Sequence, residues 1–363
     1  MEMNPRYEAL LRQFALDSEA VSCERYGCGH INETYLAVTA SGRRYILQKI
    51  NDHVFQDVDG LMENISAVTG YLRRQIDDPR RVLRLVPTSG GADYLKHEDG
   101  SFWRIYDFVE DSLCLQLPET PEDFYESAVA FGGFQQQLKD FPAATLHETI
   151  PNFHNTVDRY RIFREAVAAD RVGRVGEVQA EIEFMLEREA EADTLLRLLS
   201  EGKLPLRVTH NDTKLNNVML DAKTRKALCV VDLDTVMPGL SLYDFGDSIR
   251  FGAASAPEDE RDLSKMEMRL DLFEMYTRGF LRACPGLIDL ERAMLPMGAK
   301  LMTLECGVRF LTDHLNGDCY FAIHRLGQNL DRCRTQMKLV ADMEAKWDRM
   351  QRIVAETQDY LQA

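Results

Sequence analysis

No two of the eight cysteines stand at the C-x-x-C spacing of a zinc or redox motif, and none sits beside a histidine at zinc-ligand spacing. The spacing therefore disfavours a zinc site, and Cys229, Cys306 and Cys319 read as buried, reduced thiols of the kind a cytosol keeps. Long apolar runs are absent too: no stretch approaches the ~18 residues a membrane span needs. Met1–Leu16 has no apolar segment of the secretory type. Positive charge is scarce, with 43 Lys and Arg against 59 Asp and Glu for a formal net charge of −16. That balance disfavours nucleic acid, which is bound by cationic surface that displaces phosphate counterions, but leaves room for a local basic pocket around one phosphate ligand. Repeats, low-complexity segments and a clear linker are also missing. The expectation is a soluble cytoplasmic protein with no nucleic-acid, membrane or obligatory protein partner.

What is present is an ordinary globular composition, 45% hydrophobic and 28% charged over 363 residues. This is enough chain for about two domains or one two-lobed fold with a large core. The first third predicts strands at 20–26, 32–39 and 44–50, the last with Tyr45, Leu47 and Lys49 on one face and Ile46, Gln48 and Ile50 on the other. Val58, Leu61, Ile65, Val68 and Leu72 recur with the period of an amphipathic helix. Strand-like runs follow at 84–87 and 102–109, giving the order β, β, β, α, β, β. Thr120 is an N-cap signal with Pro121 and Asp123 behind it, opening a helix striped by Phe124, Ala128, Phe131, Phe134 and Leu138. One helix is expected over 177–199, a strand-rich island over 206–235, and helices from about 263 to the end. The boundary falls near 109–112, where strands give way to helices.

The chemistry concentrates in the island. Val208–Leu220 reads as strand, polar loop and strand, with Asp212 in the loop and Asn217 five residues on. Cys229–Thr235 follows as an apolar strand expected to end at Asp232. A reversal at 221–226 would bring Asn217 and Asp232 together. An amide oxygen and a carboxylate are hard donors suited to Mg²⁺, which keeps waters and takes few protein ligands. Asp212 beside them could accept a proton, which makes a phosphoryl-transfer layout. A lone H-x-D or D-x-D is usually a capped turn; the combination is far more selective. On the N-terminal side, Gly27-x-Gly29 between two strands suits a hairpin that covers phosphates with backbone N–H groups.

His210-x-Asp212-x-x-x-x-Asn217 followed by Val231-Asp232-Leu233-Asp234 resembles the signature of the aminoglycoside phosphotransferase and choline kinase family. That resemblance implies an α+β protein-kinase-like fold, with a small antiparallel-sheet N-lobe (1–109) covering ATP and a larger, mostly helical C-lobe (110–363). The chain is more similar still to the bacterial N-acetylhexosamine 1-kinases, through Tyr26-Gly-x-Gly-His-Ile-Asn32, Thr209–Asn217, Tyr243–Gly252, Glu305-Cys-Gly-x-Arg309 and Gly317-Asp-x-Tyr320. The implied activity is ATP- and Mg²⁺-dependent phosphorylation of the anomeric hydroxyl of N-acetylglucosamine or N-acetylgalactosamine.

By that resemblance Asp212 is the catalytic base, Asn217 and Asp232 hold the metal, and His210 is structural. The sugar side is made of His30, Asn32, Asp247, Arg250, Arg309 and Tyr320. Two local pairings compete with those roles: Arg309 with Asp313, and Arg250 with Asp247. Adenine falls to the backbone near Phe108, Val109 and Glu110. Gln48 occupies the strand position where the family carries a Lys or Arg, with Lys49 next to it on the opposite face of a regular strand. Either a bulge presents Lys49 or the usual ion pair is missing, and Glu63, the helix partner, shares that alternative. Asp244-Phe245-Gly246 spells the metal-binding triplet of protein kinases, but it lies far beyond Asn217 and behind Pro238 and Gly239, so Asp244 is expected to brace the catalytic loop. No H-R-D or A-P-E motif is present, and the segment after Asp232 is too short for peptide docking. The alternatives are a kinase of another small alcohol (aminoglycoside, choline or homoserine) and a catalytically silent kinase-like binding module.

Overall fold

A computed structural model describes residues 4–27 and 31–362. It begins with a short helix that the sequence reading does not contain, α1 (Pro5–Leu11), whose seven residues are too few to display an apolar period. Asn4 caps it by accepting the Arg6 N–H, and Pro5 pre-sets its first turn. The strands β1 (Ala20–Arg25), β2 (Glu33–Thr39), β3 (Arg44–Ile50), β4 (Leu85–Val86), β5 (Leu95–Lys96) and β6 (Phe102–Asp107) form an antiparallel sheet of order β1-β2-β3-β6-β4, with β5 also on the β6 edge. Tyr35, Leu47 and Ile105 lie in one cross-strand row and Thr34, Gln48 and Arg104 in the next. Because side chains alternate across a strand, the first row packs toward Leu10, Leu11 and Phe14. The second row faces α2 (Val58–Arg73), as do Ile46, Ile50 and Tyr106.

The chain enters the helical lobe through β7 (Ser112–Cys114), followed by α3 (Pro121–Gln137), α4 (Thr156–Ala169), α5 (Gln179–Glu187) and α6 (Thr194–Ser200). Thr120 and Asp123 form a reciprocal capping box at the start of α3, and its five predicted stripe residues are all buried. The helix expected over 177–199 is instead split into α5 and α6 by a 3-10 turn at Glu189–Glu191. The break has a tertiary cause. Arg188 turns back to donate to the Phe184 carbonyl and forms a two-pronged pair with Glu344, while Arg164 takes Glu189.

The island folds as β8 (Arg207–Thr209), the hairpin β9 (Val218–Asp221) and β10 (Ala227–Val230), and β11 (Met237–Gly239), which lies beyond its expected end. β7 pairs with β9, and β11 with β8. The rest is helical: α7 (Ser241–Gly252), α8 (Leu270–Ala283), α9 (Asp289–Ala293), α10 (Leu295–Leu315), α11 (Gln328–Ala345) and α12 (Trp347–Gln362). The apolar core is continuous across the cleft. Leu61, Ile65 and Tyr106 of the sheet side share one cluster with Phe134, Val208, Leu233 and Val236 of the helical side. This is the mixed two-lobed fold expected, with the β9–β10 hairpin and the 233–236 turn at the junction. No helix among the described residues is long and apolar enough to cross a membrane.

Candidate active site

The loop after β8 is held from several directions. Both oxygens of the buried Asp244 on α7 are occupied: one accepts the Asn211 N–H at 2.8 Å, the other the His210 N–H at 2.9 Å and the Gln135 amide at 2.6 Å. Burial raises its pKa, and the N–H donors work against that rise. Thr213 is bonded through its hydroxyl to the Asp244 carbonyl and through its N–H to Asp247. His210 is fully buried, edge-on to Phe131 and Phe134. Its Nε2 lies 2.9 Å from the Val231 carbonyl and its Nδ1 accepts the Asp212 N–H, which requires the tautomer with the proton on Nε2. Asn211 takes a left-handed conformation (φ 64°) that its amide pays back by bonding the Thr235 carbonyl.

This scaffold presents Asp212 half-buried, with Lys214 Nζ 3.1 Å from Oδ1 and the Asn217 amide nitrogen 3.0 Å from Oδ2. The same nitrogen donates to the Asp212 carbonyl, so the Asn217 side chain has its oxygen left as the donor atom for a cation. Burial works to lower the Lys214 pKa, but the charges of Asp212, Asp247 and Asp232 outweigh it and raise it. The β9–β10 hairpin brings the Asp232 loop alongside: the Val231 N–H donates to the Asn217 carbonyl at 2.9 Å.

Asp232 does not end a strand as expected. β10 stops at Val230, and Asp232 stands in the left-handed region (φ 60°, ψ 61°), a strained conformation for a residue other than glycine. The Asp232 side chain is itself open to solvent, and the protein packed around it, then the charges of Asp234 and Asp212, raise its pKa. Three carboxylates thus converge beside an amide oxygen. Among the described residues no three His, Cys, Asp or Glu side chains form a metal cage; the candidate donors are the Asn217 amide and the Asp232 carboxylate.

Arg104, to which the sequence reading gives no role, completes the cluster together with Asp234. Arg104 on β6 is 1% exposed and lies 2.6 Å from Asp234 through Nη1. Its Nε and Nη2 donate to the Gln48 amide oxygen at 3.0 and 2.9 Å. Burial works to lower its pKa, and Asp234 more than restores it. Severing a buried pair of this kind typically costs about 3–5 kcal/mol, because an unpaired charge stays behind. The signal for Arg104 is present in the sequence, as a lone cation alternating onto the apolar face of 102–107; its partner is not, because it comes from the other lobe.

The predicted nucleotide residues are scattered differently. Gln48 is turned to Arg104 and donates to Thr34. Lys49 faces away and pairs with Glu33 at 3.5 Å, with no bulge in the β3 pairing. Glu63 is at the surface on His147. Gly27 has φ +75°, in the left-handed region that favours glycine; Gly29 and His30 lie outside the described residues. At the lobe connection, the Phe108 N–H bonds the Arg44 carbonyl, the Val109 carbonyl accepts from Ser112, and Glu110 pairs with Arg44, whose guanidinium covers the Phe108 ring.

Of the residues predicted for the sugar, Asn32 is buried and donates to Asp234 at 2.5 Å. Asp247 and Arg250 pair with one another at 2.9 Å, and Arg250 also holds Glu258. Burial works to raise the Asp247 pKa, and Arg250, His154 and Lys214 outweigh it, leaving it lowered. Arg309 does not pair with Asp313, which instead accepts the N–H groups of Cys319, Tyr320 and Phe321. The Arg309 guanidinium lies among aromatic rings, 5.4 Å from Phe321, 5.5 Å from Phe153 and 6.0 Å from Tyr320. Tyr320 is 68% exposed. Glu305, one helical turn from Arg309, binds His154 at 2.9 Å and Thr156 at 2.6 Å. His154 and Lys214 are further residues at the site that the sequence reading did not assign.

The chain is similar to a known enzyme family and to solved structures of the same fold. The sequence model of the phosphotransferase enzyme family matches residues 22–284, well over half of the chain. Among solved structures, a microcompartment-associated aminopropanol kinase is similar at a TM-score of 0.63 and 18% identity, covering 95% of this chain and 98% of its own. Aminoglycoside 2'-phosphotransferase-IIIa, solved with GDP, is similar at 0.57 and 14%, covering 92% and 98%. A Plasmodium vivax ethanolamine kinase is similar at 0.53 and 13%, covering 86% and 81%.

Proposed function

The chain belongs to the phosphotransferase enzyme family, and from that premise we propose that it is an ATP- and Mg²⁺-dependent kinase acting on the anomeric hydroxyl of an N-acetylhexosamine. One observation carries the reaction type: the loop that Asp244 pins presents Asp212 and Asn217, and the β9–β10 hairpin returns the strained Asp232 alongside it. Asn217 and Asp232 are the residues that would hold Mg²⁺: Arg104 is paired with Asp234 and Lys214 with Asp212, which leaves Asp232, among the described residues, as the carboxylate whose charge a metal would balance. Bound there, the metal would neutralise charge on the nucleotide's phosphates. Asp212 orients the acceptor hydroxyl and takes its proton. An anomeric hydroxyl is more acidic than an ordinary alcohol, so a carboxylate is a sufficient base, and positioning provides most of the rate.

The acceptor assignment is supported by Arg309. Within the described residues its guanidinium has aromatic neighbours and no hydrogen-bonded carboxylate. A planar fork of donors beside ring faces suits a sugar with an acetamide oxygen. A cationic amino alcohol would want unspent carboxylates, and Asp247 and Glu305 are already bonded to Arg250 and His154.

The test is ATP consumption against a panel of N-acetylhexosamines, hexoses, aminoglycosides and short amino alcohols, with NMR of the product to place the phosphate. N-acetylhexosamine 1-phosphate is the expected product; turnover confined to amino alcohols would replace this reading. Arg309→Ala and Tyr320→Phe are expected to lower kcat/KM for the sugar roughly ten- to a hundredfold, the loss of a hydrogen bond of about 1–3 kcal/mol, with little change in KM for ATP. An equal loss for both substrates would remove these residues from the pocket.

A further inference from the structure

Gln48 and Arg104 stand opposite each other in the β3–β6 register and share the face turned to α2. On α2 that face offers Arg104 a sulfur, Met62 at 3.9 Å, rather than a carboxylate. The acids of α2 are spent elsewhere: Asp59 is bonded by Tyr94, and Glu63 pairs with His147. The carboxylate that meets Arg104 belongs to the other lobe. It is Asp234, two residues after Asp232, and it gathers further ties: Asn32, immediately before β2, donates to its side chain at 2.5 Å, and the Thr149 hydroxyl donates to its carbonyl at 3.0 Å. One chain of polar contacts therefore runs Thr34, Gln48, Arg104, Asp234, Asn32, from the sheet to the turn that carries Asp232 and back to the start of β2.

We propose that Arg104 is the positioning cation of the phosphate end of the cleft. β6 delivers it in place of a cation on β3, and it acts by holding Asp234, and with it the Asp232 turn, in the geometry that receives a nucleotide diphosphate and its divalent cation. The proposal rests on the nucleotide reading above. Its burial means Arg104 works through Asp234 rather than by touching the ligand. Stability alone does not call for such a pair, since apolar residues of like volume do as well. What the pair adds is direction. Two donors of a rigid fork hold Gln48 while the same guanidinium is ion-paired with Asp234, which fixes the two relative to one another across the lobe boundary. A left-handed Asp232 needs that kind of over-determination to persist.

The experiment is calorimetric binding of ADP with and without Mg²⁺, which needs no acceptor, on the wild type, Arg104→Gln, Arg104→Lys and Asp234→Asn, with melting curves for each. Arg104→Gln and Asp234→Asn are expected to weaken Mg·ADP at least tenfold while ADP without Mg²⁺ changes less than threefold. Arg104→Lys, which keeps the charge and loses the fork, is expected to fall between. Folded variants that bind Mg·ADP as the wild type does would overturn the proposal, as would equal losses with and without the metal, the mark of a merely structural residue. Should Arg104→Gln fail to fold, Arg104→Lys decides: a severalfold loss confined to Mg·ADP supports the proposal, and unchanged affinity overturns it. A wild type that binds no Mg·ADP would instead remove the nucleotide reading itself.

Discussion

Asp212, Asp232, Asp234, Asp244 and Asp247 are five aspartates within one short region, and their neighbours give them different work. Asp244 is saturated by protein donors, Asp247 is taken by Arg250 and the Thr213 N–H, and Asp234 is ion-paired with Arg104 and accepts from Asn32. Asp212 and Asp232 carry the side chains turned to the cleft. Asp212→Asn preserves an acceptor for the Asn217 amide but no base, so turnover is expected to fall roughly 10²–10⁴-fold with an unchanged circular dichroism spectrum; near-normal single-turnover rates would take Asp212 out of the mechanism. Asp232→Ala should steeply raise the Mg²⁺ requirement. Asp244→Ala orphans the His210 and Asn211 N–H groups at about 1–3 kcal/mol each and should lower the melting temperature. Mg²⁺ titrations and melts of both variants decide this, and the reverse pattern would make Asp244 the metal ligand.

At the scale of elements, α7 is the piece on which the loop depends, and α10 is what α7 leans on. The two meet without side chains between them: a Cβ on Gly246 would lie 2.3 Å from the Gly298 carbonyl, and one on Gly298 would lie 2.6 Å from the Leu242 carbonyl. The glycine of Asp244-Phe245-Gly246 is thus a helix-packing residue. Gly246→Ala is expected to cost about 1–3 kcal/mol by forcing the helices apart. Gly133→Ala, in α3 where the added methyl meets nothing within 4 Å, should be neutral or gain up to about 1 kcal/mol. Urea unfolding of both variants makes the comparison; equal effects would mean α7 and α10 tolerate separation. The predicted elements survive where an amphipathic period runs unbroken, as in α2 and α3. They fail at 177–199, where Arg188 and Glu344 interrupt a run that local propensity would continue.

For the whole molecule, the acid side of the stability profile follows from buried carboxylates that hold distant segments together. Glu305 on α10 ties His154 and Thr156, at the entry to α4. Burial works to raise its pKa; His154, Arg309 and Thr156 outweigh it and leave it lowered from 4.5. Asp247 is depressed in the same sense by Arg250. A carboxylate held low in the folded state contributes stability that is complete above its unfolded value and is lost as pH falls through the folded one. Melting temperature is therefore expected to hold from neutral pH down to about 5 and to drop below about 4.5, the ordinary carboxylate range. Glu305→Gln should melt lower than wild type at pH 7, with the gap closing toward pH 3. A gap that is constant across that range would mean the ionised Glu305 contributes nothing.

The H-x-D loop with its Asn five residues on, the hairpin that returns Asp232, and the strand-then-helix order were all legible in the sequence, because each is set by spacings of a few residues: a period of two or 3.6, a turn signal, a cap. The left-handed turn at Asp232, the pairing of Gln48 with Arg104, the spending of Lys49 on Glu33 and the seating of Arg309 among Phe153, Tyr320 and Phe321 were decided by the tertiary structure alone. Each depends on which residue of a distant segment stands opposite. Cross-strand register and the contact between lobes set that, and a buried charge takes whichever partner those two place within reach.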